Sequence, residues 1–197
     1  MMLFIERFTL NRAWSDLSEE EFFWEPAPNC WSVRRRDECC TPNAFGTGDW
    51  VADFDGSVIR AAVEGRGEEP LTTIAWLFWH VGSMAGRAAD LDFLGGTKSA
   101  QSGWTAPYMS EHPVFFAPAE AVHVMRAGWR ALDQAIREST DEGLDLATRF
   151  WSYSDDPGPL VLGYQILVSI LNEVSHHGTQ ICTLRDLYRA VDGRSFQ

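Results

Sequence analysis

The sequence predicts an all-α fold, a bundle of three or four substantial helices joined by long loops. Three observations predict it. Apolar residues recur at helical spacing in several long segments, and no series of segments shows the two-residue alternation of a sheet. Clusters of glycine, proline, aspartate and asparagine separate these segments. At 197 residues, 45% of them hydrophobic, we expect residues 1–197 to form a single domain with a sizeable core.

The first part of the chain combines short helices with an irregular stretch. Residues 2–15 carry apolar positions that favour a first helix. Ser18 and Glu21 form an S-x-x-E capping box, which predicts a helix start. From Pro26 to Pro70 the pattern is irregular, so we expect an ordered loop pinned by its aromatic side chains.

The two middle helices have clear start and stop signals. Thr72 or Thr73 caps a helix that runs to about residue 94, where a glycine pair ends it. A second loop, predicted over residues 97–117, leads to Pro118, which suits the first turn of a helix continuing to about residue 139.

The last predicted helix, residues 160–190, carries the most informative polar residues. His177 falls inside its apolar arc, and Glu173 lies one turn earlier on the flank of that arc. His176 points towards the polar side, because adjacent side chains diverge by about 100° on a helix. A carboxylate and an imidazole at core positions need a compensating partner, and a metal ion is the sharpest candidate.

Three side chains form the candidate metal site: His80 on the second long helix, with Glu173 and His177 on the last. Imidazole and carboxylate ligands suit zinc above all, and also nickel or iron(II). Three protein ligands leave coordination positions open for water or substrate, so no side chain is assigned as catalytic. Gln180 is the expected outer partner that orients His177. On spacing alone, ordinary hydrogen-bonded core groups are the alternative interpretation.

The overall composition excludes several kinds of partner. The formal charge of −12 and the pI near 4.7 argue against nucleic acid, whose affinity rests on clustered lysine and arginine. No apolar run reaches the roughly 20 residues that span a bilayer. The start of the chain lacks a signal-peptide pattern. The four cysteines show no framework-like spacing, so we expect free thiols and a cytoplasmic protein.

The nine tryptophans indicate either a heavily aromatic core or an aromatic-walled pocket. Because the irregular segment feeds the helix of His80, we predict a small-molecule cleft over His80 and His177. At least one of Trp31, Trp50 and Trp76 should line it.

Several segments together resemble the DinB superfamily, and most closely its YfiT-related branch from bacteria that make mycothiol. The resemblance covers nearly the whole chain in order. The segments that carry it are Trp24–Pro26, Cys30–Arg34, Thr73–His80, Asn172–Gly178 and Leu184–Tyr188.

This resemblance implies an up-down-down-up four-helix bundle, a divalent metal held by three residues, and a homodimer. His80 matches the family's ligand on the second helix, and His177 matches its last-helix ligand just before a glycine. The ligand one turn before His177 is usually a histidine in the family. Here it is Glu173, a substitution on which metal affinity, metal choice and activity depend.

Characterised relatives of this kind are thiol-dependent transferases or isomerases, and some are metal-dependent hydrolases. We therefore expect transfer of a low-molecular-weight thiol such as mycothiol onto a small electrophile. The alternatives are a metal-dependent hydrolase that uses no thiol, and a non-catalytic scaffold in which the three side chains form a hydrogen-bond cluster or hold a structural ion.

Overall fold

The structure is a computed structural model. It describes residues 2–41, 44–55, 57–58, 65, 67–68, 70–82, 84–98, 114–149 and 159–191. This part of the chain is mostly helical, as predicted. The α-helices described are α1 (Met2–Ile5), α2 (Asn11–Trp14), α3 (Glu19–Phe22), α4 (Ile74–Gly82), α5 (Met84–Ala88), α6 (Pro118–Glu138), α7 (Asp141–Leu144) and α8 (Gly163–Val191). The strands described are β1 (Ser32–Arg35), β2 (Ala44–Phe45), β3 (Trp50–Asp53), β4 (Ala147–Arg149) and β5 (Leu160–Leu162).

The N-terminal segment is helical where the pattern indicated. A π-helical turn, Glu6–Leu10, joins α1 to α2, and the segment packs against α8. Ser18 caps α3 as its capping-box position predicts, because its side chain accepts a hydrogen bond from the Glu21 backbone N–H at 3.2 Å. A Cβ added to Gly178 of α8 would lie 2.9 Å from Thr9 Cγ2, so glycine permits this close packing.

The expectation that the chain lacks strands is wrong. Within the segment from Pro26 to Pro70, β1, β3 and β2 form an antiparallel sheet in that spatial order. Ser32 pairs with Asp53, whose buried carboxylate accepts hydrogen bonds from the backbone N–H groups of Cys40 and Thr41. Each strand has four residues or fewer, which is too short for a two-residue alternation to stand out in the sequence.

The helix of His80 is shorter than predicted. Thr73 caps it, since its hydroxyl accepts from the Trp76 backbone N–H at 3.2 Å. The α-helix ends with α5, and a 3₁₀ turn, Asp92–Leu94, replaces the predicted last turns. Gly95 then adopts a left-handed conformation with φ of 83°. Residues 99–113 of the predicted second loop lie outside the described residues.

Helix α6 begins at Pro118 and ends close to the predicted residue 139. It packs on α4 and α5, and Gly128 of α6 lies against the backbone of Gly86 in α5. A Cβ on Gly128 would lie 2.7 Å from the backbone nitrogen of Gly86, so any larger residue would push the helices apart.

Helix α8 starts three residues later than the pattern predicts. Leu160–Leu162 form β5 instead, paired antiparallel with β4. A buried ion pair, Arg185 with Glu21, and an exposed one, Arg12 with Asp186, tie α8 to the N-terminal segment. One cluster of buried hydrophobic residues joins α8 to the N-terminal segment, α3, β1, β3, α4, α5 and α6. None of the helices in the described ranges combines the length and hydrophobicity that a bilayer crossing requires.

Candidate metal centre

Two packed helices, α4 and α8, supply the candidate metal ligands. His80 lies near the end of α4, and Glu173 and His177 lie one turn apart in the middle of α8. The one-turn spacing puts both α8 side chains on the same flank of the helix. The two helices therefore present an imidazole from one side and a carboxylate with an imidazole from the other.

The three side chains converge. Glu173 Oε2 lies 3.2 Å from His177 Nε2 and 4.0 Å from His80 Nε2. All three donor atoms lie within 4.8 Å of one another. Four ligands at about 2.1 Å around zinc stand roughly 3.4 Å apart in a tetrahedron. The group therefore fits such an ion after side-chain movements of about 1 Å, which rotamer adjustment supplies.

The hydrogen bonds of His177 provide a second indication of whether the three side chains suit a metal ion. The Gln180 side-chain oxygen lies 3.0 Å from His177 Nδ1, so it accepts a hydrogen bond from Nδ1–H. The other ring nitrogen, Nε2, then faces the Glu173 carboxylate. Two acceptor atoms 3.2 Å apart repel unless a cation, either a proton or a metal ion, lies between them. The donor set therefore favours a bound cation.

The electrostatic environment keeps two of the candidate ligands, His80 and Glu173, in their metal-binding forms. Desolvation, followed by the nearby His177, lowers the pKa of His80 to about 3, so its imidazole is neutral at pH 7. The hydrogen bond with His177 lowers the pKa of Glu173, so this carboxylate is ionised. Metal ions bind to neutral imidazole and ionised carboxylate.

The group is partly open to solvent. The side chains of His80, Glu173 and His177 are 24%, 42% and 15% exposed. The three side chains are therefore not sealed from solvent. A sealed hydrogen-bond cluster of the kind that merely fills a core would lack this access.

The tryptophans predicted to line a pocket occupy different places. Trp76 lies flat on the His80 ring, with centroids 4.9 Å apart and planes inclined by 14°. Trp31 packs on Trp76 at 5.3 Å. Trp50 packs instead on the ring of Phe23, with centroids 5.5 Å apart. Trp76 therefore restrains the plane of a candidate ligand, and the cleft that these residues were expected to line stays a prediction.

His176 stands apart from the group that could hold a metal. Its side chain is exposed, as the phase of the helix predicts. Its ring touches that of His177 edge-on, with centroids 4.9 Å apart. It is therefore a natural control residue for experiments on His177.

Sequence reasoning missed Thr72 as part of this region. Its hydroxyl oxygen lies 3.4 Å from the side-chain nitrogen of Gln180. In the sequence Thr72 stood out only as an alternative helix cap, and no local pattern connects it with a residue 108 positions away.

Comparison with known protein families identifies the family of this chain. The model of the DinB superfamily matches residues 5–181. The chain belongs to the DinB superfamily. No curated protein and no solved structure matches it significantly. The matched range of the DinB superfamily includes all three candidate ligands, so family membership and side-chain geometry agree on a site that could bind a metal ion.

Proposed function

We propose that this DinB superfamily protein is a divalent-metal-dependent enzyme that transfers a low-molecular-weight thiol, of the mycothiol type, to a small electrophile. The observation that carries the proposal is the partly exposed group of three donors, His80, Glu173 and His177. Zinc is the metal that this set of two imidazoles and one carboxylate suits best. We also propose that the chain belongs to the YfiT-related branch of the superfamily, which its sequence motifs resemble.

In this proposal the three side chains hold the ion and leave at least one coordination position to a ligand from solution. A bound divalent ion stabilises the thiolate form of a thiol and so raises the concentration of the nucleophile at neutral pH. The protein's own contribution is positional. Trp76 restrains the ring of His80, and Gln180 restrains the ring of His177.

The proposed reaction is a substitution and requires no oxidant or reductant. The thiol loses its proton to solvent, and its sulfur forms a bond to the electrophilic carbon. The bond between that carbon and its leaving group breaks, and the leaving group departs with the electron pair. Glu173 is ionised at neutral pH and contributes one negative charge to the site, so a divalent ion there keeps a net positive charge for an incoming thiolate.

The proposed setting is an up-down-down-up four-helix bundle that forms a homodimer in the cytoplasm. Support for the dimer comes from Leu3, Phe4 and Phe8, large apolar residues of the N-terminal helical segment that are more than half exposed. Four free cysteines suit a reducing compartment.

Loss of free thiol in the presence of a small electrophile tests this function. The zinc-loaded protein should accelerate the loss of one thiol in a panel that includes mycothiol, and His177→Ala should abolish the effect. The same binding events should quench tryptophan fluorescence in a metal-dependent way, because Trp76 contacts a ligand residue. His176→Ala is the matched control and should retain both signals.

The results also separate the rival functions. Unchanged thiol loss and unchanged emission across the panel, with metal present, would refute the transferase and favour a scaffold. Metal-dependent hydrolysis of an ester or amide panel without any thiol would favour the hydrolase instead.

A further inference from the structure

The start of helix α4 is fastened to the three-stranded sheet by backbone hydrogen bonds. The Trp31 N–H donates to the Leu71 carbonyl and the Trp31 carbonyl accepts from the Thr73 N–H, both at 2.9 Å. These two bonds enclose Thr72, which is 5% exposed. The backbone of Thr72 is therefore held on both sides and offers a fixed position for its hydroxyl group.

The hydroxyl of Thr72 is not the helix cap. The neighbouring Thr73 fills that role, because its hydroxyl accepts from the Trp76 N–H at 3.2 Å. The Thr73 hydroxyl also lies 3.1 Å from that of Ser32. This leaves the Thr72 hydroxyl directed to another partner, the side-chain nitrogen of Gln180 on α8 at 3.4 Å.

Gln180 connects this fixed point to a candidate metal ligand. A primary amide has a donating end and an accepting end. When the nitrogen of Gln180 faces Thr72, its oxygen faces His177 Nδ1, 3.0 Å away. The Nδ1–H is then held in a hydrogen bond, and Nε2 is the ring nitrogen that faces Glu173 and His80.

We propose that Thr72 is a positioning residue of the metal centre. Through Gln180, its hydroxyl holds the His177 ring in the orientation that offers Nε2 to the ion, and it transmits the rigidity of the sheet to the long helix. This inference rests on the proposed function in one respect: it takes His177 to be a ligand of the metal ion.

Removal of the Thr72 hydroxyl should release Gln180. The Gln180 side chain is only partly buried, so water can take over its nitrogen and the amide can turn away from His177. His177 would then lose the acceptor for its Nδ1–H. Loss of such an outer hydrogen-bond partner typically weakens metal affinity by about 10–100-fold.

Three substitutions test the inference. Thr72→Val removes the hydroxyl at nearly constant shape, and Thr72→Ser keeps it. Thr179→Val is the matched control on α8, because the exposed Thr179 hydroxyl bonds only the backbone carbonyl of Ser175 in the described structure. Thermal unfolding of all three proteins verifies that they fold.

The first measurement uses the metal-free protein with ¹⁵N-labelled histidine. In the wild type, in Thr72→Ser and in Thr179→Val, the His177 Nδ1–H should give a resonance protected from exchange with water. In Thr72→Val this resonance should disappear through fast exchange. An equally protected resonance in Thr72→Val would overturn the inference, whether or not the protein binds metal.

The second measurement is zinc affinity by competition with a chelator. Thr72→Val should bind zinc at least about tenfold more weakly than the wild type. The serine variant and the Thr179→Val control should remain within about threefold, because both keep the hydroxyl of residue 72. Equal affinity of Thr72→Val and the wild type would contradict the positioning role. A wild type that binds no zinc would refute the proposed function, and the resonance of His177 would still decide the role of Thr72.

Discussion

Replacement of Arg185 by methionine should destabilise the fold strongly, although the residue lies outside the metal centre. Arg185 is 2% exposed and binds both carboxylate oxygens of Glu21, at 2.8 and 3.2 Å. Its guanidinium also donates to backbone carbonyls of the N-terminal segment, the nearest being that of Arg12 at 2.6 Å. Arg185→Met therefore leaves a buried carboxylate without its main partner.

The size of the loss follows from this geometry. Removal of one partner from a buried ion pair costs about 3–5 kcal/mol of unfolding free energy. Arg189 Nε lies 4.0 Å from the Glu21 carboxylate and compensates part of the lost charge. We therefore expect about 3 kcal/mol for Arg185→Met, the lower end of that range.

The neighbouring ion pair supplies a matched control. Arg12 and Asp186 also connect the N-terminal segment to α8, at 2.5 Å, but their side chains are 55% and 34% exposed. An exposed pair contributes about 0–1 kcal/mol, so Arg12→Met should lower stability by no more than that.

Urea unfolding followed by far-ultraviolet circular dichroism measures both effects, provided that the slope of the unfolding free energy against urea concentration is unchanged. In the double variant Glu21→Gln/Arg185→Met the losses should not add, since both substitutions remove the same contact. A loss of under about 1 kcal/mol in Arg185→Met would refute the reasoning that this pair anchors the N-terminal segment.

Three further results are expected. In metal-free protein, the free energy of unfolding should fall progressively as the pH drops from about 6.5 towards 3. The pKa of His80 is lowered to about 3 in the folded protein, so over this range only the unfolded chain takes up a proton on that residue. Urea unfolding of the wild type and His80→Gln at several pH values isolates the contribution of His80. Glu173→Ala should weaken zinc binding by more than about 100-fold, the upper end for loss of an outer partner, whereas Glu173→His should retain zinc in a chelator competition. Gly128→Ala should lower the free energy of unfolding by about 1–3 kcal/mol through its contact with Gly86, and Gly48→Ala, which meets open space, should not.

Helices with local signals were predictable from the sequence. Pro118 marks the start of α6 and Thr73 caps α4, and both signals lie within one helical turn of the feature they determine. Helical phase places Glu173 and His177 on one flank of α8. The convergence of His80 with them was expected only with the help of the resemblance to the DinB superfamily, because phase does not determine which helices pack together.

Features set by distant partners were not predictable. The strands β1 and β3 are four residues long, and their pairing joins Ser32 to Asp53 across the intervening chain. Leu160–Leu162 continue the apolar pattern of α8, but they form a β-strand because β4 pairs with them. The contact of Thr72 with Gln180 likewise depends on how α4 and α8 meet, which no local pattern in the sequence reports.

Metal content of the purified protein is the most direct test of a metal centre at His80, Glu173 and His177. The protein is purified without chelator, and elemental analysis compares the wild type with His177→Ala and His176→Ala. We predict one divalent ion per chain in the wild type and in His176→Ala, and loss of most metal in His177→Ala while its circular dichroism spectrum stays helical. Equal metal content in the two histidine variants, or a wild type that takes up no divalent ion when it is supplied, would contradict a metal centre at His80, Glu173 and His177.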